Sequence, residues 1–539
     1  MKSRAAGRFG LALSVLRDRV AASDLLPGVY ARYRPLLADA LRFFLERLPA
    51  DRLERIISEQ AALAVSTSVA ERLVALVRRA PALHKLGQVV ARDRRLSPGF
   101  RKRLQELESL APQIPSALAV KLIERELPAS RRAAISLGPD PLAEGSVAVV
   151  MPFTWRGVEG VFKAIKPGVE RLLEEDLGIL GSLGCFLDED CEWYHVQPLD
   201  YEETFRTIRG LLLHEVRLGE EQRHLAEAAR IYRSMPCVAI PSLLPFCTPR
   251  LTAMERIDGV RITDHRDPAR IKLRFSGGLE GCSGHALGRV VAEALIARPL
   301  FAAESAALFH ADPHAGNLLV TREQRVGILD WSLAGRLRRQ DRAAMVQLLV
   351  GAVAQDAGKI SRILRELSRK PPDESALSEV VRTGLRELRW GAAPGITWLT
   401  RLLDEVVLRA GARLEADLIL FRKSLLTIEG VLADLTEADE RAVASLLDEA
   451  VLATLFRHWL AEWPERLFAP PAARSLTTHL SAADLSSLAW SAPAAAARWW
   501  GGMGEDLARW GSPNAVPVSR TLQRARECRK RTSPAPGWR

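Results

Sequence analysis

One stretch of the sequence constrains the fold more than any other. A short apolar run ends in His310 and leads into a polar loop that carries Asp312, His314 and Asn317. A second short apolar run then ends in Asp330. Asp312 and Asn317 are five residues apart on the predicted loop, and a predicted strand delivers Asp330. Carboxylate and amide oxygens are ligands that Mg²⁺ prefers. The pattern therefore predicts a polar cleft built around a loop and short strands.

The spacing of Asp312 and Asn317 matches the catalytic loop of protein kinases, and Asp330 falls where the aspartate of the Asp-Phe-Gly motif would lie. Phosphoryl transfer depends mainly on positioning and on charge neutralisation. We therefore expect Asp312 to face the acceptor, and Asn317 and Asp330 to hold Mg²⁺. A metal-free polar turn and a two-histidine metal site at His310 and His314 are the alternative interpretations.

Lysine is scarce in this chain, since only eleven of its 76 basic residues are lysines. Lysine is a compact point charge and arginine a wide fork, so the few lysines mark positions where arginine would not serve. Lys85, Lys163 and Lys166 are notable for this reason. Lys163 lies midway along a predicted strand, where a kinase needs a lysine to hold the α- and β-phosphates of its nucleotide.

The hydrophobic period changes several times along the chain. Residues 1–80 have helical periodicity, whereas residues 146–151 and 160–165 read as two strands of a hairpin with its turn at 155–157. Residues 239–255 contain two further strand-like runs. Beyond these, helical patterns continue, interrupted by the polar loop region.

Composition excludes several classes of protein. A hydrophobic fraction of 48% and a charged fraction of 26% are those of a globular chain. The six cysteines form no C-x-x-C pair, which indicates a reducing compartment without structural zinc. The net charge of +11 favours an anionic partner, but no nucleic-acid-binding motif accompanies it. We predict neither a signal peptide nor a membrane-spanning helix.

These motifs, in this order, resemble those of the UbiB (AarF) family of atypical kinases. The resemblance runs from about residue 80 to residue 345. The matching segments are Lys85-Leu86-Gly87-Gln88, Lys163-Ala164-Ile165-Lys166-Pro167-Gly168, the loop from His310 to Asn317, and Asp330-Trp331-Ser332.

The resemblance implies an α+β, bilobal protein-kinase-like fold with a small β-containing N-lobe, a helical C-lobe and an N-terminal helical extension. The segments that it implies are a helical leader (1–80), a helical extension with the Lys-x-Gly-Gln motif (81–130), the N-lobe (131–258), the C-lobe (259–460), and an Ala-, Pro- and Trp-rich tail with a basic end (461–539).

The resemblance also assigns further site residues. Lys85 and Gln88 would gate the active site. Gly145 and Ser146 would lie in the nucleotide-binding loop, where the acidic Glu144 is unfavourable beside a triphosphate. Glu255 lies on a strand that leads into the hinge between the lobes.

A helix of the family carries a Glu-x-Asp pair and the glutamate that pairs with the strand lysine. Glu215 and Glu221 fit this register, but Arg217 stands at the aspartate position and cannot coordinate magnesium. Ser332 stands where the glycine of Asp-Phe-Gly would be, which predicts a less mobile loop. The competitors of Glu221 for pairing with Lys163 are Glu174, Glu175 and Asp176.

By resemblance, the chain would be a kinase or ATPase that uses ATP and Mg²⁺ and supports isoprenoid-quinone biosynthesis or lipid homeostasis. A non-catalytic nucleotide-binding pseudokinase scaffold and a small-molecule phosphotransferase are the alternatives. Tryptophans and a basic cluster near the C-terminus predict peripheral attachment of a cytoplasmic protein to the inner face of a membrane. The expected partners are nucleotide, an anionic membrane surface or an isoprenoid lipid, and quinone-biosynthesis proteins, but not nucleic acid.

Overall fold

The computed structural model describes residues 33–90, 97–105, 114–190, 216–265, 283–437 and 440–486, together with residues 25, 31, 205, 209–210, 212–214, 489–490, 493, 497 and 501. The chain divides into two compact units. The first unit comprises Met1–Leu300, Ala306–Leu337 and Ile419–Leu446. The second comprises Phe301–Ser305, Arg338–Leu418 and Leu447–Arg539.

Helices dominate the N-terminal part of the first unit. They are α1 (Arg34–Glu46), α2 (Ala50–Ala62), α3 (Val69–Val77), α4 (Pro81–Val90), α5 (Pro98–Gln105), α6 (Ser116–Glu126), α7 (Ala129–Arg132) and α8 (Val169–Asp190). A capping box between Ser68 and Glu71 starts α3. Leucine and phenylalanine side chains of α1 pack with leucines of α8 in one buried cluster. Arg52 of α2 also forms a buried ion pair with Asp176 of α8 at 2.7 Å.

An antiparallel sheet follows in the first unit. Its strands are β1 (Ser136–Leu137), β2 (Ala143–Glu144), β3 (Ala148–Trp155), β4 (Val158–Ile165) and β6 (Leu251–Glu255). The strand order is β1-β3-β4-β6, and β2 also pairs with β3. Arg156 and Gly157, both at positive φ, form the two-residue turn between β3 and β4, a conformation that matches the twist of the strands. The predicted hairpin is confirmed.

A second sheet in the first unit carries the polar loop. It contains β5 (Val238–Ala239), β7 (Gly259–Arg261), β9 (Leu318–Thr321) and β10 (Val326–Ile328) in the order β5-β10-β9-β7. Strand β8 (Ala306–His310) pairs with β11 (Ala334–Arg338). The polar loop therefore lies between β8 and β9, and Asp330 follows β10, as the sequence pattern predicts.

The remaining helices are α9 (Leu218–Ile231), α10 (Gly284–Ala292), α11 (Arg298–Leu300), α12 (Arg339–Val353), α13 (Ala357–Leu367), α14 (Glu374–Arg389), α15 (Ile396–Ala410), α16 (Ala416–Thr436), α17 (Glu440–Ala461) and α18 (Trp463–Phe468). A π-helical turn, Glu293–Ala297, joins α10 to α11. Among the helices within the described ranges, none has the length and apolar character needed to cross a bilayer.

Candidate active site

Lys163 is the centre of the candidate site. It lies in the interior of β4, in register with Val150 of β3 and Thr252 of β6, so its backbone is fixed by strands on both sides. Its Nζ donates to Oε1 of Glu221 at 2.8 Å and to Oδ1 of Asp330 at 3.0 Å. The fold thus brings together three residues that are far apart in the chain.

The Lys163 cluster, defined as Lys163, Glu221 and Asp330, is buried at one end and open at the other. The side chain of Glu221 is 1% exposed and that of Lys163 is 11% exposed, whereas that of Asp330 is 39% exposed. Burial by itself lowers the pKa of Lys163, but the neighbouring carboxylates of Asp330 and Glu221 raise it above its ordinary value. The ammonium therefore stays charged at neutral pH.

The competing carboxylates on α8 have other environments. Arg52 donates to Glu175 at 3.0 Å and to Asp176 at 2.7 Å, and Glu174 is exposed. Glu221 is consequently the helix carboxylate that Lys163 contacts.

His310 joins the polar loop to the strand that delivers Asp330. Its Nδ1 accepts the backbone N–H of Asp312 at 3.1 Å, and its Nε2 lies 2.9 Å from the carbonyl oxygen of Leu329, which fixes the tautomer with the proton on Nε2. Burial lowers the pKa of His310, so the ring is neutral at pH 7. Because both ring nitrogens are bonded within the chain, His310 does not fit the alternative of a two-histidine metal site.

The loop holds Asp312 and Asn317 by internal hydrogen bonds. The Asn317 side-chain amide donates to the backbone oxygen of Asp312 at 3.1 Å. The backbone N–H of Leu329 donates to the backbone carbonyl oxygen of Asn317 at 2.8 Å. Both side chains are largely buried. The proposed acceptor-facing carboxylate and the two proposed metal ligands are therefore tied to one backbone framework.

Asp330 has a left-handed backbone conformation, with φ of 51°. Aspartate tolerates this conformation better than most residues, and its Oδ1 accepts the N–H of Ser332 at 3.2 Å. The side chain of Trp331 is fully buried, with its ring 4.9 Å from that of His310. Ser332 is not among the described residues with positive φ, so this turn does not need glycine at that position.

The nucleotide-binding loop predicted around Gly145 is a tight turn between β2 and β3. The N–H of Gly145 donates to the oxygen of Ala148 at 2.8 Å, and Ser146 is half-buried. Glu144 forms an ion pair with Lys166 at 2.6 Å and accepts the N–H of Ile114 at 2.9 Å. Its charge is therefore compensated, which removes the main objection to a triphosphate nearby.

The other predicted site residues have varied positions. Glu255 ends β6, and its N–H donates to the oxygen of Ser242 at 2.8 Å. Arg217 precedes α9 and lies 3.5 Å from Glu220. Lys85 and Gln88 belong to α4, but their side chains lie outside the described residues, as does Glu215.

Sequence reasoning missed Lys423. This residue lies in α16, and its Nζ is 3.4 Å from Oδ1 of Asp312. No motif marks it, but it is one of the eleven lysines, so the argument from lysine scarcity would have found it if applied to the whole chain.

The side chains of Asp330 and Asn317 fit a divalent cation whose remaining ligands come from the phosphates of a bound nucleotide. Among the described residues, no group of three or more His, Cys, Asp or Glu side chains could hold a metal alone. Magnesium is commonly held by one or two protein ligands together with substrate phosphates. Asp330 and Asn317 suit that arrangement, because they provide hard oxygen ligands on one framework.

Comparisons with known proteins identify a kinase-like domain in this chain. Residues 106–364 match the family model described as "ABC1 atypical kinase-like domain". This match, with the two sheets and the lysine–glutamate–aspartate cluster, defines a kinase-like α+β fold and a protein of the atypical kinase-like class. Over these residues the chain is therefore similar to the ABC1 atypical kinase-like proteins.

Individual relatives are distant. A "Probable protein kinase UbiB" from Marinobacter nauticus is 26% identical over 66% of this chain and 65% of its own length. Another from Pseudomonas fluorescens is 27% identical over 65% of each chain. "Protein ACTIVITY OF BC1 COMPLEX KINASE 1, chloroplastic" from Arabidopsis thaliana is 26% identical over 65% of this chain and 51% of its own length. The chain thus spans less than two thirds of these curated relatives.

Among solved structures, that of the Rv3197–erythromycin complex from Mycobacterium tuberculosis matches with a TM-score of 0.43 and 17% identity, covering 72% of this chain and 95% of that one.

Proposed function

We propose that this chain binds Mg-ATP and acts as an atypical kinase or ATPase. The observation that carries the proposal is the position of the Lys163 ammonium, 2.8 Å from Glu221 and 3.0 Å from Asp330. A kinase requires a strand lysine that is oriented by a helix carboxylate and lies beside the metal-binding aspartate.

In this proposal, each residue has a separate task. Glu221 orients Lys163, whose ammonium binds the α- and β-phosphates. Asp330 and Asn317 hold Mg²⁺, which supplies neutralisation of phosphate charge when it is bound. Asp312 orients the acceptor oxygen and accepts its proton. His310 keeps the loop and the strand before Asp330 in register.

The test is Mg²⁺-dependent ATP binding, measured by isothermal titration calorimetry on the wild-type chain and on Asp330→Asn. We expect the wild type to bind ATP only with Mg²⁺, and the variant to lose at least about tenfold in affinity because one charged ligand is gone. The matched control is Asp258→Asn, an exposed aspartate between β6 and β7. Equal affinity of all three proteins would contradict the proposal.

A nucleotide-binding scaffold without turnover is the second candidate. The observation that favours it is Arg217, a guanidinium at the position where the family has an aspartate. ATP hydrolysis, measured with and without lipid and a phenolic quinone precursor, separates the two. Binding without any hydrolysis or transfer would favour the scaffold.

We also propose a role in isoprenoid-quinone biosynthesis at a membrane surface, where the chain attaches peripherally. The family resemblance supports the pathway. An exposed apolar stripe along α17 and α18 supports the attachment. Its members are Leu452, Phe456, Leu460, Trp463, Leu467 and Phe468, each at least half exposed. Aromatic side chains favour the membrane interface, and the sequence also carries a basic cluster between Arg520 and Arg531.

Flotation with phosphatidylglycerol-containing vesicles tests the attachment. We expect the wild type to float with the vesicles and the triple variant Phe456→Ser/Trp463→Ser/Phe468→Ser to remain at the bottom. Leu408→Ser is the matched control, since Leu408 of α15 is 73% exposed but lies outside the stripe. Unchanged flotation of the triple variant would show that the stripe is not the attachment surface.

A further inference from the structure

The ion pair between Lys423 and Asp312 is not explained by the roles assigned so far. The Asp312 side chain is 6% exposed and that of Lys423 is 27% exposed, with 3.4 Å between Nζ and Oδ1. An ammonium thus lies beside the carboxylate that, under the proposed function, faces the phosphoryl acceptor.

Helix α16 holds Lys423 in place by neighbouring contacts. Ser424, which is fully buried, donates its hydroxyl hydrogen to the backbone oxygen of His310 at 2.8 Å. Phe421 packs edge-on against Phe309 with 5.2 Å between ring centroids. Residues on both sides of Lys423 therefore fix the helix against β8 and the polar loop, so the backbone of Lys423 is held beside the loop while its long side chain keeps rotational freedom.

The polar loop brings no permanent positive charge of its own. Residues 310–317 include no lysine or arginine, and burial lowers the pKa of His310 so that it is neutral. The ammonium of Lys163 already contacts two carboxylates, those of Glu221 and Asp330. Phosphoryl transfer spreads charge over the oxygens of the transferred group, and this charge needs cationic partners.

We propose that Lys423 binds the terminal phosphate of ATP. In the nucleotide-free chain its ammonium neutralises Asp312, and with ATP bound it turns to the γ-phosphate oxygens and frees the carboxylate. This inference rests on the proposed function and adds a residue from outside the recognised motifs.

In the transfer step, the bond between the γ-phosphorus and the β–γ bridging oxygen breaks, and its electron pair remains on ADP. A bond forms between the γ-phosphorus and the acceptor oxygen, whose proton passes to Asp312. Lys423 keeps its proton throughout.

Comparison of ATP with ADP tests the proposal without any need for turnover. In Lys423→Met, which keeps an unbranched side chain and removes the charge, we expect the Kd for Mg-ATP to rise about tenfold and the Kd for Mg-ADP to change by less than about twofold. The matched control Lys370→Met removes an exposed lysine from the loop before α14 and should leave both constants unchanged. Equal changes of the two constants in Lys423→Met would overturn the proposal.

The failures of the two proposals are distinguishable. If the wild type does not bind Mg-ATP, the proposed function fails. If it binds but Lys423→Met keeps the wild-type ratio of the two constants, only the role of Lys423 fails. Should Lys423→Met not fold, Asp312→Asn tests the same pair, because release of the ammonium should tighten ATP binding and leave ADP binding unchanged. Identical changes for both nucleotides would then overturn it.

Discussion

Two buried charged clusters, one in each unit, differ in how completely their charges are satisfied. The Glu462 cluster is defined as Glu462, Arg466, Thr477 and Thr478. The Glu462 carboxylate accepts hydrogen bonds from the Thr477 hydroxyl at 2.6 Å and from the Arg466 guanidinium at 2.8 Å. It also accepts hydrogen bonds from the backbone N–H of Thr478 at 3.1 Å and from the Thr478 hydroxyl at 2.7 Å. The negative charge of Glu462 is therefore balanced by the positive charge of Arg466.

The Lys163 cluster has two carboxylates for a single ammonium, and one of them, Asp330, is open to solvent. A closed and balanced network stabilises the fold, whereas an excess of carboxylate at an open edge is suited to a cation. The comparison separates a structural cluster from a binding site.

Replacing the basic residue of each cluster, Lys163 or Arg466, should give the largest difference between the two clusters in ATP affinity and in stability. We expect Lys163→Met to weaken Mg-ATP binding about a hundredfold, because charge-assisted bonds to phosphate are lost. Arg466→Met should leave the Kd unchanged but lower the free energy of unfolding by about 3–5 kcal/mol, because it leaves a buried carboxylate without its cation. Calorimetric titration and denaturant unfolding check both.

This prediction has a clear contrary result. Nucleotide binding that falls equally in both variants would mean that the loss reflects general destabilisation, and the distinction between the clusters would not hold.

Acidification should affect His310, in the polar loop of the candidate site, and the Glu462 cluster in different pH windows. Burial lowers the pKa of His310 below that of the unfolded chain, so the unfolded state binds more protons and stability is lost as the pH falls below about 6.5. Burial by itself raises the pKa of Glu462, but the hydrogen bonds from Thr477, Thr478 and Arg466 lower it overall. Its contribution is therefore lost only below about pH 4.3.

Unfolding free energies measured from pH 7 to pH 5 check the first window. His310→Gln should flatten the slope there, while the exposed His285→Gln should not. A slope that is the same in all three proteins would contradict a neutral, buried His310.

Two glycine substitutions should give the smallest effects. A Cβ at Gly145 would meet only the Ala148 oxygen at 3.7 Å, so Gly145→Ala should change stability by less than about 1 kcal/mol. Its ATP affinity should fall severalfold if phosphate approaches this backbone. Gly157→Ala, at φ of +81°, should cost about 1 kcal/mol and leave ATP affinity unchanged. The same affinity for Gly145→Ala and the wild type would exclude this loop from nucleotide contact.

Much of the fold around the site follows from local pattern. The hairpin with Lys163, the polar loop and the strand before Asp330 were readable because alternating apolar residues and turn residues act over short distances. The sequence also indicates Glu221 as the partner of Lys163. It does not exclude Asp176, because Asp176 is occupied by Arg52, which lies 124 residues earlier in the chain.

Other features depended on contacts that no local pattern encodes. The sequence alone predicts that Glu144 disfavours phosphate, whereas in the structure Lys166 compensates its charge. The sequence predicts that Ser332 removes the positive-φ freedom that a glycine would give this turn. In the structure the residue with positive φ is Asp330 instead. Lys423 lies 111 residues from Asp312 in a helix without a motif, so only the tertiary structure brings the two together.

A crystal structure with Mn²⁺ and a non-hydrolysable ATP analogue tests the central claim most directly, because the anomalous signal of manganese locates the cation. We expect the Lys163 ammonium on the α- and β-phosphates and the manganese on Asp330 and Asn317. Nucleotide bound elsewhere, or a cation away from Asp330, would contradict the account.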